Sequence, residues 1–233
     1  MLNVKGVKIG IVAYTYETPF IDGFRTMNTR PFSEEAKSLI NSYNPEEEAD
    51  NEGIIKSIDG AKQDGAEIVI CYFHWGKEYV RSQNKVQRET AQIAADNGAD
   101  IIFASHPHVL QPMEMIDTTD KQVPVFWSMG NYISNQRAET THNRHTEQSI
   151  IAQINLTYNA RESSISQLEM TYVPLWIDKY DDGSRSIFST IPLVPGFEEN
   201  PTLRASGHVD RAMEALTEIT ALLGEAQGWE YNR

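Results

Sequence analysis

Apolar and polar positions along the chain fall into two regimes. Val7–Tyr14 (VKIGIVAY) is an apolar, β-branched run of strand length and predicts a buried strand. Thr15–Asn44 is polar, irregular and carries two prolines, so it reads as a long loop with a short helix near Ser33–Ile40. Pro45 followed by Glu46, Glu47 and Glu48 has the chemistry of a helix start, and the helix is expected to run to Asp64, with Gly65 ending it. Glu67–Phe73 (EIVICYF) is the next strand, Gln83–Asn97 the next helix with Gly98 as its stop, and Asp100–Ala104 (DIIFA) a third strand. Strand, helix, strand, helix, strand is the order of parallel βαβ units.

Beyond residue 111 the pattern becomes one of β structure. Pro112–Asp117 and Val123–Trp127 flank the polar turn Thr118–Gln122 and predict a hairpin. Ser149–Tyr158, Ser166–Ile177 and Ser186–Val194 alternate in part and are joined by turn-rich pieces, Asn159–Ser164 and Lys179–Arg185, as in an antiparallel meander. Ala212–Leu223 closes as an amphipathic helix. The expectation is an α/β fold of mixed α+β character: residues 1–135 form an α/β part, residues 136–233 a mainly antiparallel β part with a C-terminal helix, and both belong to one structural domain.

Composition narrows the functional classes. The 233 residues include 20 basic and 33 acidic side chains, a net charge of −13, with 40% apolar residues, enough for a packed core. That charge, and the lack of any Lys/Arg cluster, excludes a nucleic-acid-binding reading and disfavours anionic lipid. No apolar run approaches the roughly 18 residues of a membrane span, so no membrane segment is expected, and Met1–Lys8 lacks the charged start and apolar middle of a signal peptide. Cys71 is the sole cysteine, which rules out an internal disulfide.

The candidate chemistry rests on histidines. His74 follows the strand Glu67–Phe73, and His106 and His108 follow Asp100–Ala104 in Ser105-His106-Pro107-His108. Ligands of open α/β sheets bind beyond the carboxyl ends of the strands, so neighbouring strands would bring three imidazoles to one crevice. Imidazole is the commonest neutral metal ligand. Pro107 is expected to stiffen the pair and hold His106 extended, with both rings on one side. The competing reading is that these are hydrogen-bonded polar residues and that Trp75, Tyr79 and Trp127 are core aromatics. His142 and His145 lie in the polar segment Arg137–Gln148 and read as solvated loop; His208 has no evident partner.

Four segments occur in order: His74-Trp75-Gly76-Lys77-Glu78-Tyr79, Asn97-Gly98-Ala99-Asp100, Ser105-His106-Pro107-His108-Val109-Leu110-Gln111-Pro112 and Trp127-Ser128-Met129-Gly130-Asn131-Tyr132. Together they resemble the bacterial capsule-synthesis proteins of the CapA/PgsA type, the poly-γ-glutamate capsule family, over about Gly6 to Asn135. Val4-Lys5-Gly6-Val7-Lys8-Ile9-Gly10 resembles that family's mid-protein strand. The family is similar to the calcineurin-like metallophosphoesterases, which implies a layered sheet sandwich with flanking helices and divalent ions such as Mn, Zn or Fe.

By the resemblance, His74 and His106 share one metal and His108 reaches a second, with Ser105 standing where the superfamily has glycine. Glu78 is either an acceptor orienting an imidazole or a surface glutamate. Trp75 matches the motif without an assigned chemistry, and Asn131 either lines the crevice or makes a tight turn with Gly130. The superfamily's early carboxylate motifs are absent: Tyr14-Thr15-Tyr16-Glu17 follows the first strand, and Asp22 is the first aspartate. No catalytic residue is therefore assigned. The pattern predicts the C-terminal part of a larger protein, incomplete at the N-terminus, carrying half of a two-metal site and inactive as a hydrolase by itself. The resemblance further implies an anionic polymer or phosphoester as substrate, envelope biosynthesis proteins as partners, and a place at the cell envelope or extracellular side. The alternative role is that of a non-catalytic polymer-binding or assembly protein.

Overall fold

A computed structural model describes residues 1–21, 24–44 and 47–225, so that Asp22, Pro45 and Glu46 lie outside the described residues. The elements in chain order are β1 (Leu2–Val4), β2 (Val7–Tyr16), β3 (Thr18–Ile21), β4 (Phe24–Met27), β5 (Arg30–Pro31), α1 (Glu34–Leu39), β6 (Ser42–Tyr43), α2 (Glu48–Gln63), β7 (Ile68–His74), α3 (Lys85–Asp96), β8 (Ile101–Ser105), β9 (Met113–Asp117), β10 (Gln122–Phe126), α4 (Ala138–Thr141), β11 (Gln148–Asn159), β12 (Ser164–Asp181), β13 (Ser186–Pro192), α5 (Pro201–Ser206) and α6 (Val209–Leu223). The fold is α/β. Two compact units share the chain. The first comprises Met1–Gly76, Gln83–His106 and Glu114–Trp127; the second comprises Lys77–Ser82, Pro107–Met113 and the chain from Ser128 on.

The first unit is built on a sheet of order β1-β2-β7-β8-β10-β9, with β6 added to the end of β2. Strands β2, β7, β8 and β10 are parallel neighbours, as βαβ connections require, and β1 runs antiparallel to β2. Helix α2 packs on β2, β6 and β7 and against α3. The core between helices and sheet holds Val12, Ile54, Ile58, Val69, Phe73 and Ala94. Cys71 lies in it, and burial pushes its thiol up to about 12. The strand expected to be buried is covered on one face only: Gly10, Val12 and Tyr14 point inward, whereas Ile11 is 52% exposed. An apolar run without alternation does not reveal that helices cover one side of its strand.

The predicted loop Thr15–Asn44 is mostly regular structure. It holds the end of β2, a small sheet of β3, β4 and β5, helix α1 capped by Ser33, and β6. Asn28 and Thr29 turn the chain between β4 and β5 with φ of +51° and +60°, the left-handed pair a two-residue hairpin needs. Strands of two to four residues are too short to show a period. Helix α2 begins at Glu48, after the Pro45 start expected for it.

Asn84 and Gln87 form a reciprocal cap on α3: Gln87 N donates to Asn84 Oδ1 at 2.8 Å and Asn84 N to Gln87 Oε1 at 3.0 Å. Gly76, at φ +92°, lies against the Gln87 amide, where a Cβ would come within 2.9 Å. The exit from β7 is thereby held against the start of α3.

In the second unit β11, β12 and β13 form the expected antiparallel meander, and α5 and α6 pack on β12. Gly130 approaches this sheet closely. Its φ is +72°, and a Cβ there would stand 2.3 Å from the Gln148 carbonyl oxygen. Gly130→Ala is expected to destabilise the protein by more than about 1 kcal/mol, because strain and backbone clash act together; a urea midpoint equal to that of the parent chain would contradict this.

The segment Arg137–Gln148, expected to be solvated, carries a buried ion cluster. Arg137 and Glu147 are both almost wholly buried and pair at 3.1 Å. His142 is exposed, as expected. His145 is half-buried, with Nδ1 3.2 Å from Gln148 Oε1 and 3.3 Å from Glu218 Oε2. His208 also has a partner: its Nδ1 lies 2.7 Å from Oδ1 of the buried Asp178. Polarity alone predicts exposure, and it does not show that Arg137 and Glu147 compensate one another or that Glu218 and Asp178 reach His145 and His208 across 73 and 30 residues of sequence.

Candidate metal centre

In the first unit β7 and β8 end side by side, with His74 opposite Ser105 in the parallel register. The Trp75 backbone N–H donates to the Ser105 carbonyl at 3.1 Å, tying the two strand ends together. Trp75 is buried: it stacks on Phe73 at 4.7 Å and on Trp127 at 5.6 Å, and its Nε1–H donates to the Trp127 carbonyl at 3.0 Å. It is thus packed as a core aromatic beneath the strand ends. His74 and His106 stand together, with ring centroids 4.6 Å apart. A residue that the sequence pattern does not mark as a site residue completes this group. Tyr16, at the end of β2, brings its hydroxyl to 3.0 Å from His106 Nε2 and lays its ring 6.3 Å from His74, nearly parallel to it. The signal available was the register: three adjacent parallel strands end together, so the residue after the first strand belongs with those after the other two.

His106 departs from the extended geometry expected before proline. Its φ is +108°, and that of His108 is +59°. Neither is glycine, so the tripeptide stores strain of about 1–3 kcal/mol per residue, of the kind that collects at functional sites. The proline fixes its own φ but only biases its predecessor toward extended backbone, and at His106 that bias is overridden.

In the second unit His108 is oriented by Asn131. The two protons of the Asn131 Nδ2 group are shared among three oxygens within reach: the His108 carbonyl at 3.3 Å, Gln136 Oε1 at 3.1 Å and the Thr146 carbonyl at 3.1 Å. Three acceptors fix which end of the amide is nitrogen. The remaining oxygen, Oδ1, lies 2.8 Å from His108 Nδ1 and must accept its proton. Neutral His108 therefore carries its lone pair on Nε2. Glu78 Oε1 lies 3.8 Å from that nitrogen. This is too far for a hydrogen bond but within the ~4.2 Å open to two donors each about 2.1 Å from one ion. Of the two alternatives for each residue, Asn131 thus sits at the imidazole rather than only in a turn, and it, not Glu78, holds Nδ1.

Glu78 is presented by a fixed segment. Tyr79 N donates to the Pro107 carbonyl at 2.8 Å, and buried Gln111 donates to the carbonyls of Val80 and Ser82 at 2.9 and 3.0 Å. The Tyr79 ring lies 6.2 Å from that of His108, and its hydroxyl accepts from Gln136 Nε2 at 3.3 Å. Desolvation, and secondarily the Glu78 charge, raises the Tyr79 hydroxyl above its ordinary value, which keeps it protonated.

A sequence profile of the bacterial capsule synthesis proteins, PGA_cap, matches residues 1–136. The chain belongs to this family. Two relatives carry the likeness at the level of single proteins. The PGA biosynthesis protein CapA of Bacillus subtilis (strain 168) is 43% identical over 88 residues, which is 38% of this chain and 22% of the relative. The Capsule biosynthesis protein CapA of Bacillus anthracis is 32% identical over 137 residues, 58% of this chain and 29% of the relative. The matched stretches thus span less than a third of these relatives. The family match includes His74, Glu78, His106, His108 and Asn131 and ends before the β11–β13 meander. Among the described residues no helix is long and apolar enough to cross a membrane.

Proposed function

We propose that this chain acts in capsule biosynthesis and carries the histidine side of a two-metal centre for phosphoester hydrolysis or transfer, on a metallophosphoesterase-like fold. The observation that supports this most is the Asn131–His108 pair: an amide locked by three acceptors holds Nδ1 and turns a lone pair on Nε2 toward a carboxylate. Carboxamide or carboxylate partners behind a ligating imidazole are the usual outer layer of metal sites. Imidazoles and a carboxylate, His74 and His106 in the first unit and His108 and Glu78 in the second, are donor types that divalent ions accept. His74 joins His106 on one ion and His108 reaches a second, with Glu78 as the carboxylate donor. Bound ions of this type supply Lewis acidity at a phosphoryl oxygen.

The protein's own groups do the positioning. Asn131 holds the His108 ring, Gln111 and the Pro107 carbonyl hold the segment bearing Glu78, and Trp75 holds the ends of β7 and β8. One carboxylate among three imidazoles is a sparse set for two ions, so weak metal binding and little turnover are expected of these 233 residues by themselves. Substrates in keeping with the relatives are an anionic polymer such as poly-γ-glutamate or a phosphoester. Partners are envelope biosynthesis proteins, and the place of action is the cell envelope.

Titration calorimetry with Mn²⁺ and Zn²⁺ tests this reading. The parent chain is expected to bind and His108→Ala to lose binding by at least tenfold; equal binding by both would overturn it. Polyglutamate binding that is the same with and without divalent metal, and unaffected in His108→Ala, would favour the non-catalytic polymer-binding role. With a net charge of −13, docking of a polyanion in either role calls for bridging metal ions or a basic groove.

A further inference from the structure

Tyr16 lies at both imidazoles of the first unit, and no motif singles it out. Its hydroxyl is 3.0 Å from His106 Nε2. Its ring lies 4.8 Å from the His106 ring and, at an interplanar angle of 8°, beside that of His74. His106 is 7% exposed, so bulk water has little access to exchange its tautomers. A neutral imidazole so enclosed takes the tautomer its hydrogen-bond partners select.

We propose that Tyr16 is a positioning residue whose hydroxyl oxygen accepts a hydrogen bond from His106 Nε2–H, so that His106 presents Nδ1 while His108, held at Nδ1 by Asn131, presents Nε2. The two histidines of His106-Pro107-His108 then offer opposite ring nitrogens. A phenol suits the task at His106. Its oxygen accepts a hydrogen bond without bringing a charge into a nearly closed site, whereas a carboxylate there would pay the cost of desolvation.

The direction of the Tyr16–His106 bond rests on the proposed metal reading, since the reverse direction would place a proton on Nδ1. Its test does not depend on metal. Long-range ¹H–¹⁵N correlation spectra of the metal-free, ¹⁵N-labelled chain at pH 8 report the protonated nitrogen of each histidine directly. Expected for the parent chain is a protonated Nε2 at His106 and a protonated Nδ1 at His108. Tyr16→Phe keeps the ring beside His74 and removes the hydroxyl; His106 is then expected to move toward a mixture of tautomers, with His108 unchanged. A protonated Nδ1 at His106 in the parent chain, or an unaltered His106 in Tyr16→Phe, would overturn the proposal. The parent spectrum decides even if the variant fails to fold. Addition of Zn²⁺ separates the two readings: the expected tautomers with no response to zinc would support positioning by Tyr16 and overturn the metal centre.

Discussion

Replacing Glu147 by alanine is expected to cost about 3–5 kcal/mol of stability, the range for breaking a buried ion pair from one side. Glu147 is 1% exposed and Arg137 2%. Its two carboxylate oxygens are fully used: Oε2 pairs with Arg137 Nη2 at 3.1 Å, both oxygens lie 3.0 Å from Arg211 Nη2, and Oε1 accepts the Ala138 N–H at 2.9 Å. The Arg137 guanidinium also donates to the Ile177 carbonyl and lies 5.5 Å from the Trp176 ring, which Arg211 approaches at 5.7 Å. Burial lowers the Arg137 pKa from its ordinary value and the Glu147 charge works against that shift. Without Glu147 the cluster keeps two guanidinium groups, one of them buried with no carboxylate at contact distance. Glu147→Gln retains hydrogen-bond capacity and is expected to lose less than Glu147→Ala. Denaturant unfolding measures both, and a loss below about 1 kcal/mol for the alanine variant would contradict the assignment.

The second large effect is expected at Asn131. Asn131→Ala removes the acceptor that holds His108 Nδ1 and the donor that meets three oxygens, and divalent-metal affinity is expected to fall about 10–100-fold, the usual loss for a partner behind a ligand. The fall arises because His108 regains access to both tautomers and to other ring orientations, with Nε2 no longer committed toward Glu78. Stability is expected to drop as well, by about 1–3 kcal/mol for the oxygens left unpaired. Calorimetry with Zn²⁺ on the folded variant at a temperature well below its Tm separates the two effects. An unchanged affinity would show that Asn131 serves only the local turn.

Much of the fold was legible because the first unit obeys a strong rule. Parallel strands joined by helices come with glycine stops, and Gly65 and Gly98 mark the ends of their helices accordingly. The meander was legible because Gln148–Asn159 and Ser164–Asp181 are long enough for turn residues to bracket them. The region from Thr15 to Asn44 was not, since its strands have two to four residues and are fixed by particular pairs, such as Thr18 Oγ1 with Thr26 Oγ1 at 2.6 Å.

At the candidate site, His74, His106 and His108 stood out by residue type and by position after strands. Tyr16 and the orientation of Asn131 did not. Tyr16 reaches His106 across 90 residues of sequence, a relation only the parallel register creates. Asn131 is followed by a loop whose partners, Gln136 and Thr146, determine which way its amide faces. His208 was missed for the same reason as Glu147: a polar residue in a polar stretch reveals nothing of a buried partner such as Asp178.

The claim that carries the rest is that His108 Nε2 is a metal-ligating atom. Anomalous diffraction from crystals of the chain grown with Zn²⁺ tests it directly. The expected result is a peak about 2.0–2.1 Å from His108 Nε2 with a Glu78 carboxylate oxygen at about 2.0–2.2 Å, absent from crystals of His108→Ala. Full zinc occupancy elsewhere on the protein, with His108 Nε2 hydrogen-bonded to Glu78 and no density between them, would contradict it.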